Sequence, residues 1–143
     1  MCIRDRIEFD GAYMNAEVYL NGTKLGEHPY GYTAFAFDLT EGLICDGETE
    51  NVLVVKTNNK IPSSRWYSGS GIYRDVKLTV TDKVHVGYNG TKIIAKDIEN
   101  TKDNNVKVDV TATIDNDSDT NKTITVKNTL LDAQGKDVYK RQK

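Results

Sequence analysis

The residues best equipped for chemistry lie in one run, Ser64-Arg65-Trp66-Tyr67-Ser68-Gly69-Ser70-Gly71-Ile72-Tyr73-Arg74-Asp75-Val76. It holds the only Trp of the chain, with Arg65 before it and Arg74 at the start of a strand. Arg65 offers paired N–H donors, and an aromatic face such as Trp66 stacks on the apolar C–H surface of a pyranose. Together they could contribute to a sugar site. The structural alternative has Trp66 plugging a sandwich or an interface while Arg65 and Arg74 pair with acids such as Asp75. Gly69 and Gly71 let the backbone turn tightly between them. Upstream, Asn58 and Asn59 end a strand and face the same loop. Their amides can both donate to and accept from hydroxyls, although ordinary turn residues would read the same way.

Other chemistries find less support. Retaining hydrolysis of a glycoside needs two carboxylates about 5–5.5 Å apart, and Glu8, Glu17, Glu27 and Glu41 read instead as residues of solvated strand faces and turns. Asp115-Asn116-Asp117-Ser118-Asp119 imitates a calcium loop, but Thr120 stands at position six, Val126 at position twelve, and strands flank it. Gly69-Ser70-Gly71 lacks the third glycine and the helix of a dinucleotide site. His28 and His85 have no neighbours at ligand spacing. Cys2 and Cys45 make neither a disulfide framework nor a zinc site. Asn-x-Ser/Thr triplets begin at Asn21, Asn89, Asn116 and Asn121, and turn chemistry explains them without glycosylation. The run His28-Pro29-Tyr30-Gly31-Tyr32 reads as a turn whose tyrosines pack on a sheet and keep their hydroxyls wet.

The elements that must position these residues are strands. Glu17–Leu20 and Lys24-Leu25 flank Asn21-Gly22, a strong hairpin signal because a type I′ turn needs positive φ at both central residues. Phe35–Asp38, Val52–Lys56 and Val76–Val80 follow, rich in aromatic and β-branched residues. After Asp82 the character shifts. Val84–Val86, Asn105–Ile114 and Thr123–Leu131 alternate with period two between polar connections, and no segment sustains a helical period. The fold class is all-β.

The bulk properties narrow the partners. A net charge of −2, from 19 basic and 21 acidic residues, sets up no field that favours nucleic acid or an anionic membrane. No apolar run approaches the ~18 residues of a spanning helix. The opening MCIRDR shows no apolar signal segment, and localisation stays open between cytoplasmic and secreted.

Three ordered stretches carry a family resemblance: IEFDGAYMNAEVYLNGTKLGEHPYGYTAFAFDLT (Ile7–Thr40), ENVLVVKTNN (Glu50–Asn59) and SRWYSGSGIYRDV (Ser64–Val76). From Ile7 to about Asp82 the chain resembles the N-terminal sugar-binding domain of glycoside hydrolase family 2, the β-galactosidase and β-glucuronidase family. The resemblance implies a galactose-binding-domain-like jelly-roll β-sandwich over 7–82. It is incomplete at its N-terminus, because family members carry further strands before the Phe-Asp-Gly strand. An immunoglobulin-like β-sandwich should follow over 84–137. Such a domain takes ~100 residues, so the 60 or so from Val84 on would be a truncated one. Residues 1–6 and 138–143 match neither neighbour and are expected to be non-native flanks.

The implied parent is a retaining β-galactosidase acting on terminal β-galactosides. Its catalytic glutamates lie on a later barrel, the acid/base preceded by Asn. No Asn-Glu dipeptide occurs here, so the chain is expected to be a non-catalytic fragment with no catalytic residue of its own. Family members often use Mg²⁺ and Na⁺, for which this chain shows no ligand set, and no cofactor is assigned to it. Its partners would be the rest of the parent, chiefly the barrel, and a β-galactoside or related glycan, in a parent that can be a homo-oligomer. In family members a polar residue in the connection leaving the strand Val52–Lys56 reaches the substrate, which implicates Asn58 or Asn59. Two rival readings are a free-standing carbohydrate-binding module, which the missing first strands oppose, and a structural sandwich of a surface protein, which no internal repeat supports.

Overall fold

The computed structural model describes residues 4–59, 69–96, 98–100 and 106–142. Its strands are β1 (Arg4–Phe9), β2 (Ala12–Tyr13), β3 (Ala16–Leu20), β4 (Thr23–His28), β5 (Phe35–Asp38) and β6 (Leu53–Lys56). There follow β7 (Gly71–Ile72), β8 (Val76–Thr81), β9 (Val84–Lys96), β10 (Lys107–Asn116), β11 (Lys127–Leu131) and β12 (Asp137–Gln142). A single 3₁₀ turn, Ile98–Asn100, is the one helical element among the described residues. The chain divides into two compact units, Met1–His85 and Val86–Lys143.

The first unit is a β-sandwich. One antiparallel sheet runs β5-β1-β8 and the other β4-β3-β6, with the short ribbon β2-β7 beside them. Strand alternation builds the core: Ala16, Val18 and Leu20 of β3 point inward, while Glu17 and Tyr19 point out. They meet Ile7 and Phe9 of β1, Phe35 of β5 and Leu39 beyond it, with Leu53 and Val55 of β6 packed against them. Phe35 lies between two rings, Phe9 at 4.9 Å and His28 at 4.5 Å, both nearly parallel to it. Fully burying a side chain such as Phe9 or Val18 contributes about 1.5–3 kcal/mol.

The hairpin between β3 and β4 turns at Asn21 (φ 50°) and Gly22 (φ 82°), as its sequence predicts. Asn21 also bridges to other loops. Its Nδ2 donates to the Gly42 carbonyl (3.0 Å) and to Asn51 Oδ1 (2.8 Å), and its Oδ1 accepts from the Val52 N–H (2.8 Å).

The inner face of the first sheet is only partly covered. In register, Val76 lies opposite Phe9, Leu78 opposite Ile7 and Val80 opposite Asp5, so these three share the core face. They are nevertheless exposed. The strands of the other sheet cover β5 and β1 and leave β8 open.

In the second unit β9 pairs with β10 and β11 with β12. Lys96 and Asp109 form an ion pair between β9 and β10. The sequence signal Asn89-Gly90 makes no hairpin here. It lies inside β9, with Asn89 at φ 53°, where a side chain on Gly90 would crowd the Thr113 carbonyl (3.0 Å) of β10. A positive-φ residue followed by glycine serves a bulge as well as a turn, and the dipeptide alone does not choose.

Three further features concern the ends and the thiol. β1 begins at Arg4, whose backbone pairs with Thr81, so the strand starts ahead of Ile7. β12 runs over Asp137–Gln142. Cys45 is disulfide-bonded and offers neither a nucleophile nor a metal ligand.

Candidate functional site

Six chain segments converge at one end of the sandwich: the end of β1, the β2-β7 ribbon, the Met14-Asn15 turn, the Pro29–Ala34 loop, the exit of β6 and the start of β8. Backbone hydrogen bonds tie them. The Asp10 N–H donates to the Asp75 carbonyl (3.0 Å), the Asn15 N–H to the Pro29 carbonyl (3.1 Å) and the Asn58 N–H to the Met14 carbonyl (2.9 Å). Asn15 stands at φ 47°, which Asn tolerates better than most residues, and it follows the cis peptide joining Tyr13 to Met14. Its Nδ2 donates to the Asn58 carbonyl at 2.9 Å.

Asn58 is therefore held by its backbone on both sides while the residue stays exposed. Asn59 is half-buried beside it. These two sequence-nominated residues lie together at this end. Arg65 and Trp66, nominated with them, fall in 60–68, outside the described residues.

The tyrosines differ from expectation. Tyr30 and Tyr32 remain largely outside the packed face, 58% and 60% exposed. Gly31 occupies the packed position instead: a side chain there would run into the ring of Tyr13. Tyr32 meets the buried Tyr13 edge-on at 5.4 Å, and Tyr30 meets Tyr32 edge-on at 5.6 Å. The Tyr32 hydroxyl is pushed above its usual range, first by its hydrogen bond with Tyr13 and then by burial, so it stays protonated at any ordinary pH. Tyr73 reaches across to donate to the Gly31 carbonyl (2.7 Å). Arg74, expected to pair with an acid, instead lies over the Tyr73 ring, 5.8 Å from its centroid.

The remaining candidates have structural roles. His28 stacks on Phe35 and shares a hydrogen bond with Thr33 Oγ1 (2.9 Å). Glu17 joins a surface network in which Tyr19 donates to it (2.6 Å) and Lys56 pairs with it (3.1 Å). Glu27 pairs with Lys24, and Glu8 accepts from Thr79. Among the described residues no group of three His, Cys, Asp or Glu side chains could hold a metal ion.

Residues 2–82 match the family model described as glycosyl hydrolases family 2, sugar binding domain. The chain belongs to glycoside hydrolase family 2. Among family members it is 46% identical over 134 residues to β-galactosidase BoGH2A of Bacteroides ovatus, covering 93% of this chain and 15% of that enzyme. It is 32% identical over 147 residues to a β-glucuronidase of Formosa agariphila, covering 90% of this chain and 15% of the relative. A solved family 2 member from Bacteroides cellulosilyticus superposes with a TM-score of 0.87 at 28% identity, over 98% of this chain and 19% of that one. The chain thus spans about a sixth of the length of the curated relatives it matches, and the catalytic barrel is not in it.

The brace formed by Asn15, Tyr13 and Tyr73 escaped sequence reading. Its trace was the pairing of small residues with tyrosines: Gly31 makes room for Tyr13, and Gly11 for Tyr73, whose ring a side chain would meet at 2.7 Å.

Proposed function

We propose that this chain is the non-catalytic, sugar-facing part of a larger family 2 glycoside hydrolase, a retaining β-galactosidase that cleaves terminal β-galactosides. The first unit is an incomplete jelly roll and the second the start of an immunoglobulin-like domain. The jelly roll packs beside the catalytic barrel and shapes the rim of its pocket. One observation carries the reading: 93% of the chain aligns at 46% identity with only 15% of a β-galactosidase. Such a segment lends position rather than chemistry, since the carboxylate pair of a retaining enzyme lies elsewhere.

In the assembled enzyme Asn58 or Asn59 contacts substrate hydroxyls, with Arg65 and Trp66 on the following loop. The support is the fixed backbone of Asn58 at an exposed end of the sandwich. A site built to hydrogen-bond a hydroxyl discriminates because an unpaired buried amide costs about 1–3 kcal/mol. Asn58→Ala or Asn59→Ala in the parent should lower kcat/KM about 5- to 150-fold with little loss of folding. The purified chain should not turn over chromogenic β-galactoside or β-glucuronide, while the parent gene product turns over the galactoside. Activity of the chain that persists after host enzymes are removed would overturn the reading. Unchanged kcat/KM in both Asn variants would leave the chain a scaffold only.

A further inference from the structure

We infer that Tyr30 and Tyr32 form a carbohydrate subsite that takes the C–H face of a pyranose. The inference deepens the proposed function, from which it takes the class of ligand, but it stands on a different observation. Two large aromatic side chains remain exposed on a loop that is otherwise held firmly. The Pro29 carbonyl is bound by the Asn15 N–H, and the Gly31 carbonyl by the Tyr73 hydroxyl. Thr33 Oγ1 is bound to the His28 ring, which is itself stacked on Phe35. Gly31 lies against Tyr13 with no room for a side chain.

The loop thus uses its glycine for packing and turns its tyrosines outward. Tyr32 is fixed edge-on against Tyr13, and Tyr30 stands at 69° to Tyr32. The two rings make a corner with walls already in place, so a ligand would lose little freedom in ordering them. A corner of rings suits a small body with one apolar face and a hydroxylated rim. A pyranose has that form: its C–H face can lie on one ring while hydroxyls meet a phenol. Amphipathic Tyr supplies such contact at low entropic cost. The exposed Asn58, tied to Pro29 through Asn15, adds an amide on the same brace.

The test is saturation transfer from the chain to free sugar, observed on the sugar protons, which works whether the chain is monomeric or associated. The probes are methyl β-galactopyranoside, methyl β-glucuronide and, as a hydroxyl-rich compound without a ring face, mannitol. The expected result is saturable transfer from the chain to the C–H protons of one face of a pyranoside, with none to mannitol. Tyr30→Ala and Tyr32→Ala should each weaken binding at least five-fold, while Tyr30→Phe retains it because the ring face is kept. Tyr30 meets Tyr32 and Tyr32 meets Tyr13, so Tyr30 variants report binding even if Tyr32→Ala disturbs Tyr13. Absence of saturable transfer from the pyranosides, equal transfer to mannitol, or unchanged binding in Tyr30→Ala would overturn the inference. This test involves no turnover. It can fail while Asn58 still governs kcat/KM in the parent, and it can succeed if Asn58 does not.

Discussion

Both units contain an Asn-Gly dipeptide and strands of alternating apolar residues, yet they use them differently. In the first unit Asn21-Gly22 reverses the chain, and Val18 and Leu20 disappear beneath a second sheet. In the second unit Asn89-Gly90 lies within β9, and Val108 and Val110 of β10 keep the same period but stay exposed. Alternation defines the two faces of a strand. Burial requires another layer stacked about 10 Å away. The same lesson appears inside the first unit: Ile7 and Leu78 are cross-strand partners on one face, 6% and 62% exposed. The difference between them is what lies above.

The strongest attack on this contrast removes apolar bulk from each unit. Phe9→Ala, at a fully buried ring, should cost about 3–5 kcal/mol in denaturant unfolding. Ile93→Ala, at a side chain 67% exposed, should change stability by no more than about 0.5 kcal/mol. Comparable losses would break the contrast. The two Asn-Gly sites sharpen it next. Asn21→Ala deprives the Gly42 carbonyl and the Val52 N–H of a partner and should cost about 1–3 kcal/mol. Asn89→Ala mainly forfeits tolerance of positive φ, about 1 kcal/mol; thermal melts of the two variants compare them directly.

A smaller effect is expected on the open half of the first sheet. Leu78→Thr should shift unfolding by less than about 0.5 kcal/mol while reducing self-association in sedimentation, because it interrupts a continuous apolar stripe. Ile7→Thr, one strand away, should unfold the domain more readily instead. The smallest effect is electrostatic. Glu17 is held below its ordinary range, first by the Tyr19 hydrogen bond and then by Lys56. A depressed carboxyl stabilises the fold above its unfolded pKa and loses that contribution as pH falls through the folded value. The melting difference between wild type and Glu17→Gln should therefore be present at neutral pH and close as pH falls below about 4. Asp109, lowered by its bond with Lys96 in the second unit, should respond with the same sign.

Much of this architecture could be read locally. Phe35–Asp38 forms the strand its aromatics predict, and Val76 opens β8 as expected. The hairpin at Asn21 followed from the φ values that only a few residues accept. What escaped was non-local. The β2-β7 ribbon pairs Ala12-Tyr13 with Gly71-Ile72, far apart in sequence and too short for a propensity signal. Val84–Val86 gave no sign that β9 would continue through Asn89-Gly90 to Lys96. The sequence puts Asn58 and Asn59 after the strand Leu53–Lys56, but the clamp on Asn58 depends on Asn15, whose φ is not written in its type. Tyr30 and Tyr32 differ from expectation for the same reason: a tyrosine in a turn packs or projects according to which neighbour has taken the space.

Asn21 also sets how the molecule ages. In an Asn-Gly pair the glycine nitrogen attacks the side-chain carbonyl carbon with little steric hindrance, expelling ammonia and leaving Asp or isoAsp after hydrolysis. While the hairpin is intact, three hydrogen bonds hold the Asn21 side chain in place and restrain that attack. Once deamidated, the position would present acceptor oxygens to the Gly42 carbonyl and Asn51 Oδ1, where an amide NH₂ now donates. The damage would therefore favour opening of the loops that had delayed it.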